Sequence, residues 1–320
     1  MPESKGRVVI AVGGNALIID KTKESIPDQY EAVVSTSKHI IDMVEAGWQV
    51  VVTHGNGPQV GFVLRRSEIS MPEIPPVPMD YAGADIQGAV GYMFLKALHN
   101  EMHHRGMEKP VAAIITQTLI DREDPAFRNP TKPIGSYLDE TSAKNRQSEL
   151  GWSVAEDAGR GWRRVVPSPY PKEIIELDLI RLLVDAGNIV ICGGGGGIPV
   201  IRDKQGKLQG TEAVIDKDLA SGLLAVGLEA QIFIISTAVE KVAVNFNKPN
   251  QKWLEKVTLP MAKRLLDEGH FLKGSMEPKV KAMIAYLEAA GPRGIVTDPP
   301  NLPRALRGET GTCFVQESSQ

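Results

Sequence analysis

Three apolar, β-branched runs in this chain each stop abruptly in a glycine-rich loop. Val8 to Val12 ends at Gly13-Gly14-Asn15, Val50 to Thr53 at Gly55-Asn56-Gly57, and Ile189 to Cys192 at the unbroken run Gly193 to Gly197. Glycine lacks a Cβ, so the backbone of such a loop can close directly on a phosphate or a small oxyanion. Three such loops predict parallel strands whose carboxyl ends bring backbone N–H groups to one edge of a sheet, where open α/β sheets bind ligands. The pattern is that of a chain built to hold anions.

The remaining sequence alternates strand-like and helix-like stretches, the rhythm of a mainly parallel sheet covered on both faces. Val33, Val34, Ser37, Ile40, Ile41 and Val44 fall at helical spacing and predict a helix over 30–46, closed by Gly47. A helix started by Pro58 is expected over 58–69, followed by a proline-rich linker over 72–78, a helix over 83–105 and a β-branched strand over 111–116. From 121 to 171 the chain turns polar and proline-punctuated yet holds Trp152, Trp162 and Tyr170, which reads as a small inserted subdomain or lid. The α/β rhythm resumes with a helix over 174–186 and a strand over 189–192. A helix over 216–228, a strand over 231–236, helices over 261–268 and 278–289, and a strand over 294–297 complete it. With 320 residues, 42% of them hydrophobic, the chain can bury a large core in one α/β domain or two lobes.

Charge and composition exclude several classes. A net charge of -3 provides no basic field to release counterions from a nucleic acid, so any phosphate bound should be small and locally held. Cys192 and Cys313 have no metal-ligand spacing, which argues against a disulfide scaffold or a zinc site. Met1 to Arg7 has no apolar leader region and no run approaches 18 apolar residues, so a cytoplasmic protein without a membrane span is expected. The run at Gly193 places Ile198 and Pro199 where G-x-G-x-x-G needs its third glycine, which argues against a Rossmann dehydrogenase. Gly269 to Gly274 has the span of a P-loop but continues Ser275-Met276, not Lys-Ser/Thr, which excludes a Walker NTPase. His99, His103 and His104 share a helix but lack a third ligand and read as solvated surface.

Lysines beside breaks in the pattern are more informative. Lys217 sits between Asp216 and Asp218 at a helix start, where N–H groups and the helix dipole favour an anion. Lys279 follows another glycine-to-helix junction, Gly274 to Pro278, and Lys132 is held between Pro130 and Pro133 inside the expected lid. A lone lysine is ordinarily a solvated charge. Together with the glycine loops these three form a sensible set for phosphoryl transfer, which needs fixed positive charge and little covalent chemistry.

These segments carry a resemblance. Val9 to Ala16, Thr53 to Gly61, Asn129 to Pro133, Glu156 to Arg163, Val165 to Pro169, Ala213 to Asp218 and Gly274 to Lys279 together resemble the carbamate kinases of the amino acid kinase superfamily, over about 7–315. The resemblance implies an open three-layer α/β/α sandwich around a mainly parallel sheet of some eight strands. A carbamate-binding half over 7–212, a nucleotide-binding half over 213–315, a protruding lid over 121–171 and a homodimer are also implied. The implied reaction is reversible: carbamoyl phosphate and ADP give carbamate and ATP with Mg²⁺, in arginine catabolism. Position by position, Gly13, Gly14 and Asn15 would cradle the phosphoryl group and Gly55, Asn56 and Gly57 the carbamate side. Lys217 and Lys279 would neutralise phosphates, Asp218 would orient them, Lys132 would reach down from the lid, and Ala238, Val239, Phe246 and Met276 would hold adenine.

The sequence departs from the family pattern at two positions. Ala238 stands where an aspartate often follows the threonine, and Ile86 where a hydroxyl residue usually precedes Gln87. Alternatives stay open at this level: Asp218 could simply cap its helix. The chain could also be another small-anion kinase of the same fold, or a nucleotide-binding regulatory module without turnover.

Overall fold

The computed structural model describes residues 4–14, 17–18, 23–156 and 161–317, and the side chain of Ser136 is not described. Its centre is an eight-stranded sheet ordered 256–258, 312–315, 293–297, 232–236, 7–12, 49–54, 189–191, 111–113. Every neighbouring pair is parallel except Arg293–Thr297 with Thr312–Val315. In Arg7–Val12 the apolar run is buried on both faces, as a central parallel strand requires. Val9 and Ala11 join the core cluster under one helical layer, and Val8, Ile10 and Val12 join the other. Helices Leu177–Asp185, Lys217–Gly227, Leu259–Asp267 and Met276–Glu288 supply apolar side chains to the first cluster. Ile26–Glu45, Met79–His104 and Leu302–Leu306 supply the second. The three-layer, mainly parallel sandwich is therefore as expected.

Element boundaries moved where local chemistry outweighed apolar period. The first helix begins at Ile26, not Tyr30, because Ser25 and Asp28 form a capping box with Pro27 in the first turn. The third begins at Met79 and tolerates its glycines; a Cβ at Gly91 would stand 3.1 Å from that of Ala113 on the neighbouring strand. The expected strand over 111–116 stops at Ala113, and Gln117–Ile120 pairs instead in a separate four-stranded sheet with Pro171–Ile174, Ile198–Arg202 and Leu208–Gly210. Residues 171–174 are thus strand, and the helix expected from 174 starts at Leu177. The polar stretch contains a three-stranded sheet of Lys132–Leu138, Trp162–Val166 and Ser153–Glu156 with the helix Glu140–Leu150. Among the described residues no helix is long and apolar enough to cross a membrane.

Candidate active site

The three glycine-ended strands Arg7–Val12, Gln49–His54 and Ile189–Ile191 lie side by side and parallel, so their carboxyl ends open on one edge. Two helix N-termini face that edge, those of Lys217–Gly227 and Met276–Glu288. The helices pack at van der Waals distance beside Gly222, where a Cβ would lie 3.4 Å from the carbonyl oxygen of Ala282. A buried hydroxyl pair, Thr53 Oγ1 to Ser221 Oγ at 2.6 Å, ties the first helix to its strand.

This docking brings the first-turn residues Lys217 and Lys279 onto one carboxylate. Lys217 donates to Oδ1 of Asp218, and Lys279 Nζ donates to Oδ2 at 2.8 Å. Burial would raise the Asp218 carboxyl, but the two ammonium groups outweigh it and bring it down to about 2. Burial also pulls Lys217 below its ordinary value, with Lys279 adding repulsion against the attraction of Asp218. Two cations at helix N-termini oppose the helix dipoles. With one carboxylate between them, the arrangement has room for a further anion.

Asp216, not Asp218, caps the helix, which overturns the capping alternative for Asp218. Its Oδ1 accepts from the N–H groups of Asp218 at 3.0 Å and Leu219 at 3.4 Å. Its Oδ2 accepts from Lys132 Nζ at 2.9 Å, so the cap also anchors the lysine of the polar insertion. Sequence reasoning gave Asp216 no role, although its place before Lys217 at a helix start was a signal.

These groups line a cleft of about 270 Å³ with Gly14, Gly55, Asn56, Gly57 and Ser275. Gly13 stands behind that lining: its N–H donates to the Ser236 carbonyl at 3.0 Å, and a Cβ would meet the same oxygen at 2.8 Å. Asn15 lies outside the described residues. The run Gly193 to Gly197 is a packed wedge, not an open anion cradle. The amides of Gly193, Gly196 and Gly197 bond Thr116 Oγ1, Gly193 O and Gly194 O, and at Gly195, φ +67, a Cβ would stand 2.0 Å from Asn56 Nδ2. Of this run Gly195 alone reaches the cleft lining. Gln87 secures the wedge by donating to the carbonyls of Thr116 and Gly194, both at 3.0 Å, while its neighbour Ile86 packs in the core. Burial pushes the Cys192 thiol far up, which leaves it a small inert core residue.

A second cavity of about 140 Å³ gathers Ala238, Val239, Phe246 and Met276, the residues expected around adenine, and shares Ser275 with the cleft. Phe246 and Trp253 meet edge to face at 6.3 Å. Trp253, Lys241 and His270 also line it and were not anticipated, because a short hairpin, Val242–Val244 with Lys252–Leu254, brings part of this wall into place.

His54 is buried at the base of the site, with Nδ1 2.9 Å from the Gly55 carbonyl, so in the neutral ring Nδ1 carries the proton. Burial lowers it from 6.5 to about 4, opposed by that bond and aided by Lys217. The unfolded chain therefore binds more protons between those values, and stability falls as pH drops from 6.5 toward 4. The shift corresponds to roughly 3 kcal/mol. Urea midpoints should decrease over that window in the wild type, and the slope should flatten in His54→Gln; equal slopes would remove His54 as its cause.

Among the described residues no three His, Cys, Asp or Glu side chains converge to hold a metal. Asp216 and Asp218, the described carboxylates of the cleft, are both bonded to lysines. That donor set fits a Mg²⁺ carried largely on nucleotide phosphates, which needs one or two carboxylates at most, and not a protein cage.

An open α/β sheet with a lysine-rich cleft at its strand ends defines a nucleotide-type phosphotransferase architecture, and residues 6–298 match the amino acid kinase family, to which the chain belongs. Its relatives there include carbamate kinases and carbamate kinase-like proteins. The chain is 52% identical over 314 residues to carbamate kinase of Thermococcus kodakarensis, covering 97% of this chain and 99% of that protein. It is 49% identical to that of Pyrococcus horikoshii, covering 98% and 99%. The solved carbamate kinase from Giardia lamblia bound to AMP-PNP superposes with a TM-score of 0.92 at 40% identity, over 99% of this chain and all of that one.

Proposed function

We propose that this protein is a carbamate kinase. It transfers the phosphoryl group of carbamoyl phosphate to ADP, giving ATP and carbamate, which breaks down to ammonia and CO₂. The observation that carries this reading is the pair Lys217 and Lys279 on the buried Asp218, in a cleft that shares Ser275 with an apolar, aromatic-lined cavity. ADP would place its base in that cavity and its phosphates toward the two lysines. The bond from the carbamoyl oxygen to phosphorus breaks as a terminal ADP oxygen bonds the same phosphorus. Lys217 and Lys279 would neutralise the charge spread over the transferred oxygens. Gly14, Gly55, Asn56 and Gly57 would hold the carbamoyl end on backbone and amide groups. A Mg²⁺ carried on the nucleotide would supply neutralisation of phosphate charge.

The insertion over 121–171 is proposed as a lid. Closing it would exclude water from carbamate, an unstable anion, and strengthen each lysine contact. Lys132 already bonds the cleft residue Asp216, which supports this role. Lys132→Ala should lower kcat/KM for carbamoyl phosphate while leaving ADP affinity by calorimetry nearly unchanged; a comparable loss of ADP affinity would count against the lid. A cytoplasmic homodimer serving arginine catabolism belongs to the same proposal. The direct test of the activity is Mg²⁺-dependent ATP formation from ADP and carbamoyl phosphate, read by luciferase.

A further inference from the structure

A second polar cavity, of about 150 Å³, lies between the insertion and the helix Gly57–Ser70. Arg65, Arg146 and Arg164 line it, and Glu68 is the carboxylate among its described lining residues. One oxygen of Glu68 serves two guanidinium groups, at 2.9 Å from Arg65 and 3.3 Å from Arg146. Arg164 reaches outward to Glu212, at 3.2 Å, whose side chain is 67% exposed. The guanidinium carbons of Arg146 and Arg164 also lie 5.3 and 4.8 Å from the centre of the Trp152 ring. Arg164 is the most enclosed of the three, and burial lowers it despite the two glutamates. The wall thus holds three guanidinium forks, two of them sharing one oxygen of Glu68 and the third met at the rim by the exposed Glu212, which leaves one positive charge in excess among these five groups.

Guanidinium forks match the geometry of carboxylate and phosphate, with two parallel N–H···O bonds to each anionic group. A dry apolar cavity of about this volume admits a benzene-sized molecule, so the occupant has only a handful of heavy atoms. We propose that this cavity binds a small dianion, an inorganic phosphate or a short dicarboxylate, between Arg65, Arg146 and Arg164. It is separate from the catalytic cleft, with which it shares only Ile134 among the described lining residues. A Cβ at Gly61 would stand 2.7 Å from Gly135 Cα, so the backbones of the helix and of the insertion touch beside the cavity.

Calorimetric titration with phosphate and, separately, with succinate tests this and shows which of the two chemistries the site takes. The proteins compared are the wild type, Arg146→Gln/Arg164→Gln, Arg65→Gln and Lys279→Ala, in which Asp218 keeps Lys217 as its partner. At least one probe should bind the wild type, weaken at least tenfold in both arginine variants, and bind the lysine variant at wild-type strength. Arg65 is half exposed, so its variant gives a reading even if the double substitution does not fold. Binding that survives the arginine substitutions, binding lost in Lys279→Ala, or no binding of either probe would overturn the proposal. None of these readouts depends on turnover, so the site stands or falls apart from the carbamate kinase reading.

Discussion

Lys279→Ala should lower kcat about 10²-fold or more, the effect of removing one preorganised charge that meets the transition state, about 2.7–4 kcal/mol. Lys217→Ala should do the same. Both lysines sit on first helical turns where their charge opposes the local dipole, and the fold holds them there through Asp218. Folding should survive, since removing either lysine leaves Asp218 its other ammonium partner. Steady-state kinetics of the purified variants, with circular dichroism as a control for folding, decides the matter. Wild-type turnover in folded Lys279→Ala would remove it from the phosphate clamp.

Asp218→Asn should cause a larger combined loss. The substitution keeps the shape of the side chain but leaves two ammonium groups side by side around a neutral amide. Breaking a buried pair by removing one partner costs about 3–5 kcal/mol, because an uncompensated charge remains buried. The carboxyl is held at about 2 against an ordinary 3.8, so its contribution is present above that ordinary value and is lost as pH falls toward 2. At neutral pH only substitution removes it. Since burial already lowers Lys217, the variant should regain stability as pH rises and that lysine gives up its proton. Urea midpoints at pH 7 and pH 9.5 test this; a variant as stable as the wild type at both would show that Asp218 does not hold the lysines. kcat should fall at least 10²-fold with it, since neither lysine keeps its position.

The parts of the site readable in the sequence were those set by local chain chemistry. Val8 to Val12 and Val50 to Thr53 announce buried strands because both faces are apolar, and their glycine loops follow directly. Lys217 and Lys279 were found because a helix start is a local event. Asp216 gained no role beside Asp218, since both are good caps by residue type and the cap hydrogen bonds with the packing of Lys132 and Lys279 separate them. The run Gly193 to Gly197 looked like a third cradle; its glycines answer close approaches by His54, Asn56, Ile215 and Thr118, which lie far from it in sequence. Three-residue strands such as Lys256–Thr258 carry too little period to be seen alone, and take their conformation from a neighbour, Thr312–Val315.

Carbamoyl phosphate, and no larger phosphoryl donor or acceptor, is expected to fit between the Gly14 and Gly55 loops beneath Lys132. Four reactions run side by side with Mg²⁺ test it most directly: ATP formation from ADP and carbamoyl phosphate, and ADP formation from ATP with N-acetylglutamate, aspartate or UMP. Rapid ATP formation is expected in the first, abolished by EDTA and restored by Mg²⁺, with negligible turnover in the other three. Vigorous phosphorylation of any of those three, with no activity on carbamoyl phosphate, would contradict it.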